Sequence, residues 1–241
     1  MSSTISSLIF IFSILILPTT IKDFDSLWEA LQKKHKKGHY KSVTFTQKNI
    51  HFDNKDSIVG RSTWKEYIEF PNKFRIDLDS TSQNTVLFKN DSVYQVRNGT
   101  LGKASAYFHD FLAWNGGIFF IEKEYARKNF KEAGYDLTKF YTTTWENRKV
   151  YVLGALENDF KTPQVWFDAE NLYVVRVFSN QGATIMELQF KKHKKVNRKS
   201  WIETEVIVLS RGKKVQIEQY FDIEISQKKL PSQTFELIKK Q

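Results

Sequence analysis

Residues able to do metal chemistry are few and scattered in this chain of 241 residues. His35 and His39 are four apart, a spacing at which two imidazoles on a helix could hold a metal ion. However, Gly38 lies between them and no third ligand is near in sequence. We therefore expect solvated histidines in a basic segment and predict no metal site. The other histidines are isolated and are expected at the surface or at strand edges: His51, His109 and His193.

One group of acidic residues with a histidine invites an acid–base interpretation. It comprises His109, Asp110, Glu122 and Glu124, close in sequence to Trp114. Such a group could exchange protons at the mouth of a cavity, but ordinary charges on a helix surface explain it too, and we favour that explanation. The chain has no Cys, no Gly-x-Ser-x-Gly elbow and no phosphate-binding glycine loop. We predict a protein that is not an enzyme and has no cofactor, and a lipid hydrolase stays open only as an alternative that needs a nucleophile.

Large apolar side chains are the other group with a possible role, because 15% of the residues are aromatic. Several of them fall on predicted strands and helices that would enclose a cavity for a hydrophobic ligand. The alternative is an ordinary core, since aromatic residues supply much of the buried area in any domain. The predicted cavity residues are Phe45, Trp64, Ile68, Phe74, Ile76, Leu78, Phe111, Trp114, Phe119, Phe120 and Trp166.

The N-terminal residues predict export. Ile5 to Leu17 are apolar apart from serines, and Pro18 follows before the first charge at Lys22. The run is shorter than the roughly 20 residues that span a bilayer, so residues 1–20 are predicted to be a signal peptide and the protein to be periplasmic and soluble after cleavage. A retained anchor is the alternative, because no Lys or Arg precedes the run and no Ala-x-Ala site follows it. Without Cys, neither disulfides nor a lipid-modified N-terminal Cys is possible.

The formal net charge of +10 predicts anionic neighbours. Two basic runs stand out, Lys33 to Lys37 and Lys191 to Lys195. Neither alternates with aromatic residues as a single-stranded nucleic-acid platform would, and an exported chain meets little nucleic acid, so we expect no nucleic-acid partner. We interpret the runs as a solvated helix end and a loop between strands, in contact with anionic lipid headgroups.

Hydrophobic periodicity predicts a mainly β protein with helical segments. An amphipathic helix is expected from Asp23 to Lys37, and a helical insert from 104 to 134 contains a short apolar segment followed by a charged helix from Ile118 to Ala133. A further helical turn is expected near Asp136. Strands are predicted at 42–49, 57–70, 74–79, 85–89, 92–97, 142–144, 150–153, 164–167, 172–178, 184–190, 201–209 and 213–225.

Alternation within the strands predicts which face is buried. In the segment after the Pro71-Asn72 turn, Phe74, Ile76 and Leu78 are expected on the dry face, and Arg75 and Asp77 on the wet face. In the last strand the predicted dry face carries Val215, Ile217, Phe221, Ile223 and Ile225.

About ten or eleven antiparallel strands are too many for a flat sheet, which would curl or close. No Pro/Gly/Ser linker divides residues 21–241, so they are predicted to form a single domain. We predict a curved antiparallel sheet forming an unclosed half barrel, whose concave side is covered by the N-terminal helix and the helical insert.

The order of several motifs resembles the periplasmic lipoprotein carriers of the LolA type and their lipoprotein-sorting superfamily. A strand follows the first helix, a Pro-Asn-x-Phe-Arg turn follows a strand that starts near a Gly, and a later strand ends in a turn Asp. A last strand with Leu-Pro and Phe closes the chain. These motifs are Val43–Lys48, Pro71–Arg75, Val165–Asp168, Leu172–Arg176, Ile223–Ser226, Leu230-Pro231 and Phe235.

The resemblance implies an unclosed β barrel whose open side is plugged by helices, with a cavity between them that holds acyl chains. It implies a carrier of a lipidated protein or another hydrophobic ligand, working as a monomer with envelope membrane proteins and without a cofactor. The carriers usually place Arg directly before the Pro-Asn turn, where it is thought to hold the helical lid. Phe70 occupies that place here, so the resemblance favours the fold and the cavity over a copied lid mechanism. A non-enzymatic basic adaptor that docks on anionic lipid or a membrane partner is the alternative function.

Overall fold

The computed structural model describes residues 20–182 and 184–237. The predicted signal peptide, apart from Thr20, lies outside the described residues. Within the described ranges, no helix combines the length and the apolar character needed to cross a membrane.

Strands dominate the chain, and nearly all of them join one antiparallel sheet. The sheet has 14 strands, and its order is β6-β5-β4-β3-β2-β1-β16-β15-β12-β11-β10-β9-β8, with β7 paired to β5. Strands β13 and β14 form a separate pair. Their bounds are β1 Ser42–Phe52, β2 Ile58–Glu69, β3 Lys73–Asp77, β4 Thr85–Lys89, β5 Ser92–Arg97, β6 Thr100–Leu101, β7 Ser105–Ala106, β8 Asp136–Trp145, β9 Arg148–Gly154, β10 Gln164–Asp168, β11 Val174–Gln181, β12 Thr184–Lys191, β13 Lys194–Lys195, β14 Trp201–Ile202, β15 Glu205–Ser210 and β16 Lys213–Ser226.

The fold class is confirmed: a large antiparallel sheet that does not close into a barrel, with few helices. The structure contains more strands than predicted, mainly because of the two-residue strands β6, β7, β13 and β14. The predicted strand from Trp201 to Leu209 is divided into β14 and β15. Asn90 and Asp91 join β4 to β5 in a tight hairpin turn. Both residues have a positive φ, 53° and 54°, as this type of turn requires.

In the described part of the chain, three α-helices lie against the sheet: α1 Phe24–Leu31, α2 Asp110–Trp114 and α3 Lys123–Glu132. Helix α1 begins with a capping box, in which the Asp23 side chain accepts a hydrogen bond from Ser26 N at 2.8 Å and Ser26 Oγ accepts one from Asp23 N at 3.1 Å. It continues as a π-helical turn, Gln32–Lys36, which gives the full helical stretch the predicted extent.

Two helical predictions were wrong in detail. Gly117–Phe119 form a 3₁₀ turn and α3 starts only at Lys123, so the predicted helix from Ile118 is interrupted. Asp136 does not start a helical turn; it is the first residue of β8, where its carboxylate accepts hydrogen bonds from the backbone and hydroxyl of Thr138.

One part of the concave face is filled by apolar side chains. Helices α1 and α3 pack with Trp114 against β9, β10 and β11. The indole of Trp114 stacks on Phe130 with ring centroids 3.6 Å apart and 5° between the planes. Asp110 beside them accepts a hydrogen bond from Tyr135 Oη at 2.8 Å, which satisfies a buried pair.

The predicted wet face of β3 is buried, contrary to expectation. Arg75 Nε donates to Asp77 Oδ1 at 2.8 Å, and the same guanidinium donates to the backbone oxygens of Thr234 and Glu236. The 3₁₀ turn Ser232–Phe235 therefore covers the outer side of β3. Alternation within one strand cannot show that a distant segment returns to cover its polar face.

The predicted dry face of β16 was also wrong over half its length. Thr44 of β1 pairs with Glu224 of β16, but Thr46 pairs with Phe221, so β16 has a β-bulge between these two pairs. Asp222, within the bulge, has a φ of 50°. Ile223 packs on the core after the bulge, but Phe221 before it is 41% exposed. A bulge reverses the facing of every residue on one side of it, so a single period cannot describe the strand.

The histidines in the first basic run are buried rather than solvated. His35 is 3% exposed, with Nδ1 2.5 Å from Lys199 O and Nε2 3.1 Å from Asn171 O. His39 is 6% exposed between Tyr40 and Phe119, and burial lowers its pKa to about 3. Lys33, Lys36 and Lys37 are exposed, whereas the imidazoles are buried beneath the helix. No cluster of metal-binding side chains forms among the described residues.

Candidate ligand-binding cavity

A cavity of about 490 Å³ lies on the concave side of β1, β2, β3, β12, β15 and β16, beside helix α2. Its volume falls within the roughly 300–1,000 Å³ typical of small-molecule sites. Most of the lining is apolar: Tyr40, Val43, Phe45, Trp64, Ile68, Phe70, Phe74, Ile76, Phe111, Leu112, Met186, Leu188, Phe190, Ile202, Val206 and Val208.

The cavity forms because inward positions of neighbouring strands coincide. Phe45 on β1 is opposite Glu66 on β2, which in turn is opposite Ile76 on β3. Ile68 is likewise opposite Phe74, so two rows of side chains cross the sheet and point to the same side. Helix α2 contributes Phe111 and Leu112 from above.

The structure brings together more than half of the predicted cavity residues. Those that line the cavity are Phe45, Trp64, Ile68, Phe74, Ile76 and Phe111. Contact between these residues and a ligand stays a prediction.

The remaining predicted residues lie outside this cavity. Trp114 and Phe119 fill the core under α1 and α3, and Phe120 stacks on Phe70 at the edge of the cavity. Leu78 follows the end of β3, where its backbone N–H donates to Asn84 O. Trp166 points to the opposite face of the sheet, where its Nε1 donates to Gln164 Oε1 and Arg176 lies over the ring. Its neighbours Val165 and Phe167 face the concave side. Because successive side chains of a strand point to opposite faces, Trp166 between them points to the outer face.

Polar side chains also line the cavity, and sequence reasoning missed them. They are Gln47, Glu66, His109, Asn115, Glu203, Gln216, Glu218 and Tyr220. The signal existed on β2, because Glu66 alternates in phase with Trp64 and Ile68. The facing of Glu66 was not predicted, and the structure places it in the lining of the cavity.

The carboxyl groups of the cavity are held in an unfavourable environment for ionisation. Burial and the nearby Glu218 raise the pKa of Glu66 well above its usual value. Burial also raises the pKa of Glu203, and it raises the pKa of Glu218 to about 7. The oxygens of Glu218 accept hydrogen bonds from Gln216 Nε2 at 2.9 Å and Tyr220 Oη at 3.0 Å.

A second cavity of about 450 Å³ adjoins the first. His109 and Leu112 line both, so helix α2 stands between them. The His109 ring is surrounded edge-on by Phe74 and Phe88, and its Nδ1 accepts a hydrogen bond from Leu112 N at 3.2 Å as the cap of α2. Burial lowers the pKa of His109 to about 4, so the imidazole is neutral at pH 7.

The predicted acid–base group is not assembled. Asp110 is buried against Tyr135, whereas Glu122 and Glu124 are exposed, and Glu124 pairs with Arg127 at 3.6 Å. His109 caps a helix. These residues therefore have structural or surface roles in this arrangement.

Phe70 stands where the carriers usually have Arg. Its ring contacts Phe120, at the end of the covering segment, residues 110–120, which lies over the cavity. Phe70 is 7% exposed and stacks on Phe120 with 10° between the rings. Gly116 permits this contact, since a Cβ there would lie 2.5 Å from Phe70 Cζ, and its φ of 141° also favours glycine. The covering segment is thus held by packing at this position rather than by a guanidinium.

Comparison with known proteins shows similarity at the level of structure. No family profile matches the sequence, and no curated protein matches it either. Among solved structures, a candidate outer membrane lipoprotein-sorting protein domain from Vibrio parahaemolyticus is 14% identical, with a TM-score of 0.57 over 87% of this chain and 94% of that one. A LolA superfamily protein from Nitrosomonas europaea is 11% identical, with a TM-score of 0.57 over 90% and 98%. A DUF1329 family protein from Desulfovibrio piger is 10% identical, with a TM-score of 0.55 over 90% and 98%.

The architecture defines a class of proteins in which an unclosed antiparallel sheet wraps around a few helices. The similarity over nearly the full length of these structures identifies that architecture as a LolA-like fold. The predicted resemblance is confirmed at the level of the fold.

Proposed function

We propose that this protein is a carrier of a lipidated protein or another hydrophobic ligand, whose acyl chains occupy the cavity beside α2. The proposal rests mainly on the apolar cavity of about 490 Å³ within a LolA-like fold. The proposal includes a periplasmic location, envelope membrane proteins as partners and a monomer that performs no catalysis.

The physical chemistry of the lining supports this role. Each methylene moved from water into an apolar cavity contributes about 0.8 kcal/mol, so an acyl chain gains affinity without specific polar contacts. Six predicted residues, among them Trp64, Phe74 and Ile76, would touch the chain. Removal of the chain needs only that the covering segment moves away from the sheet.

Lipid binding by the purified mature protein tests the proposal. We expect lipid or acylated peptide to co-purify in native mass spectrometry, and a fluorescence increase with N-phenyl-1-naphthylamine. Ile76→Trp should reduce probe binding because it fills the cavity. Ile58→Trp is the matched control, because Ile58 is on β2 but 53% exposed. A protein that carries no lipid and gives no fluorescence change would refute the proposal.

A basic adaptor remains the second candidate, and one observation favours it. Lys34 of the first lysine run lies near Lys195 of the second run and near Lys199: burial lowers the pKa of Lys34 most, Asp168 and Glu170 raise it, and the two lysines lower it to a smaller extent. Such a surface would attract anionic headgroups. The adaptor predicts sedimentation with phosphatidylglycerol vesicles that weakens steeply with salt and survives Ile76→Trp. Absence of binding to anionic vesicles at low salt would exclude it.

A further inference from the structure

The cavity contains carboxyl groups without a matching positive charge. Glu66, Glu203 and Glu218 all line it. Among the described residues, no Lys or Arg belongs to the lining, and His109 is neutral at pH 7. The interior therefore offers carboxyl groups and no cation, although the whole protein carries a formal net charge of +10.

Glu66 is the least satisfied of these groups. It is 3% exposed, no hydrogen bond or ion pair of its carboxyl group is found among the described residues, and its oxygens are not among the fully enclosed atoms that lack a partner, so they are open to the cavity. By contrast, Glu203 accepts a hydrogen bond from Asn115 Nδ2 at 2.7 Å, and Glu218 accepts two. A buried carboxyl group without a partner costs free energy, and native proteins normally supply a partner.

The surroundings of Glu66 leave room for a ligand to supply that partner. On its own strand it lies between the inward residues Trp64 and Ile68, and its cross-strand neighbours are Phe45 and Ile76. All four line the same cavity, so an apolar chain in contact with them would bring its polar end close to the carboxyl group.

We propose that the cavity selects amphiphiles whose polar end is an ammonium group, which pairs with Glu66 and its neighbour Glu218 while the chain lies along the aromatic lining. This inference rests on the proposed carrier function and specifies the ligand of the same site. An ammonium supplies both the missing countercharge and up to three hydrogen-bond donors. An anionic headgroup would face Glu66, Glu203 and Glu218 with no cation to compensate.

Probes of equal chain length test the inference. Dodecylamine, dodecanol and dodecanoic acid are titrated, below their micelle concentrations at pH 8, against N-phenyl-1-naphthylamine bound to the mature protein. We expect dodecylamine to displace the fluorophore at concentrations about tenfold or more below those of dodecanoic acid, the range of a charge-assisted hydrogen bond. Lysophosphatidylethanolamine and lysophosphatidylglycerol extend the test, because a preference between dodecylamine and the ethanolamine lipid identifies the source of the ammonium.

Two variants separate charge recognition from the shape of the cavity. Glu66→Gln keeps the size of the side chain and should remove the preference for amine over acid, while dodecanol binding is unchanged. Glu224→Gln is the matched control, since Glu224 is an exposed residue on β16. If Glu66→Gln weakened all three ligands equally, Glu66 would have a structural role and the inference would be wrong.

The outcomes also distinguish this inference from the proposed function. If the three probes displaced the fluorophore with equal affinity, the cavity would bind chains without regard to headgroup, and only the inference would fail. If neither the fluorophore nor any of the three ligands bound, the carrier function would fail as well.

Discussion

Strands β9, β10 and β11 are covered by a filled core, whereas β1, β2, β3 and β16 in the same sheet face a cavity. In the filled half, Val165 and Val177 from the sheet and Phe130 from α3 are 0% exposed. In the hollow half, Phe74, Ile76 and Phe111 are only partly buried, because they line the cavity. The filled half uses two helices for cover, and the hollow half mainly has the five-residue helix α2.

This difference shows how one sheet can provide both stability and a site. Close packing contributes most to stability where side chains have neighbours on all sides. Side chains that line a void lose those contacts, and a carrier must keep such a void for its ligand. We infer that the filled half stabilises the fold while the hollow half is available for binding.

The largest expected effect comes from truncating the same residue type in each half. Phe130→Ala removes the ring that stacks on Trp114 and should lower the free energy of unfolding by about 3–5 kcal/mol. Phe111→Ala at the cavity should cost roughly 1 kcal/mol, because much of its surface already lacks a neighbour. Urea unfolding measures both, and equal losses would contradict the division into two halves.

The secondary structure of the sheet was largely predictable, and the facing of its residues was not. The strands Thr85–Lys89 and Ser92–Arg97 were predicted with their observed bounds, because apolar alternation and the Asn90-Asp91 turn agree. Burial of Arg75 and of His35 depends on segments more than 150 positions away in sequence, and no local pattern contains that information.

The apolar lining of the cavity was predictable in part, and its polar lining was not. Alternation on β3 placed Phe74 and Ile76 on one face, and Trp64 and Ile68 were predicted as cavity residues; all four line the cavity in the structure. The inward carboxyl groups were missed because burying an unpaired charge is normally unfavourable, so a sequence argument assigns it outward. Such exceptions are expected at functional sites, where local rules are broken.

The second prediction uses pH to compare the hollow half with the outer face. The pKa of Glu218 is raised to about 7 from a usual value of 4.5, so the native state binds the proton more tightly than the unfolded state. Its stabilising effect is therefore full below pH 4.5 and is lost as the pH rises towards 7. Glu66, Glu203, His109 and Tyr220 face the same cavity, and Glu203, Tyr220 and Glu66 interact with Glu218.

Glu218→Gln should remove this pH-dependent loss. At pH 8 the variant is expected to be about 3 kcal/mol more stable than the wild-type protein, because the amide resembles the protonated carboxyl group. At pH 4.5 the two should be nearly equal. Glu224→Gln on the outer face should change stability by less than about 0.5 kcal/mol at either pH. Urea unfolding at the two pH values checks this, and a Glu218 variant with no pH-dependent gain would contradict it.

The third prediction concerns the contact at the border of the two halves. Phe70→Leu keeps an apolar side chain but loses the ring stacked on Phe120, and we expect a loss of about 1 kcal/mol. In the variant, amide hydrogen exchange should be faster than in the wild type over the segment 110–120 and unchanged in β10. Phe221→Leu at a 41% exposed position is the control and should change neither measurement. Unchanged exchange at 110–120 would mean that Phe70 does not hold the covering segment.

The smallest expected effect lies on the surface of the filled half, where Asp25 on α1 pairs with Lys123 and Arg127 on α3. The Asp25 side chain is 52% exposed, so Asp25→Asn should cost at most about 0.5–1 kcal/mol and less in high salt. Glu132→Gln is the control. Glu132 lies on α3, like Lys123 and Arg127, but its ion pair is the long one with Lys128, at 3.9 Å. If the halves act separately, Asp25→Asn leaves the affinity for N-phenyl-1-naphthylamine unchanged while urea unfolding detects the loss. A parallel change in affinity would show instead that the helices over the filled half also control access to the cavity.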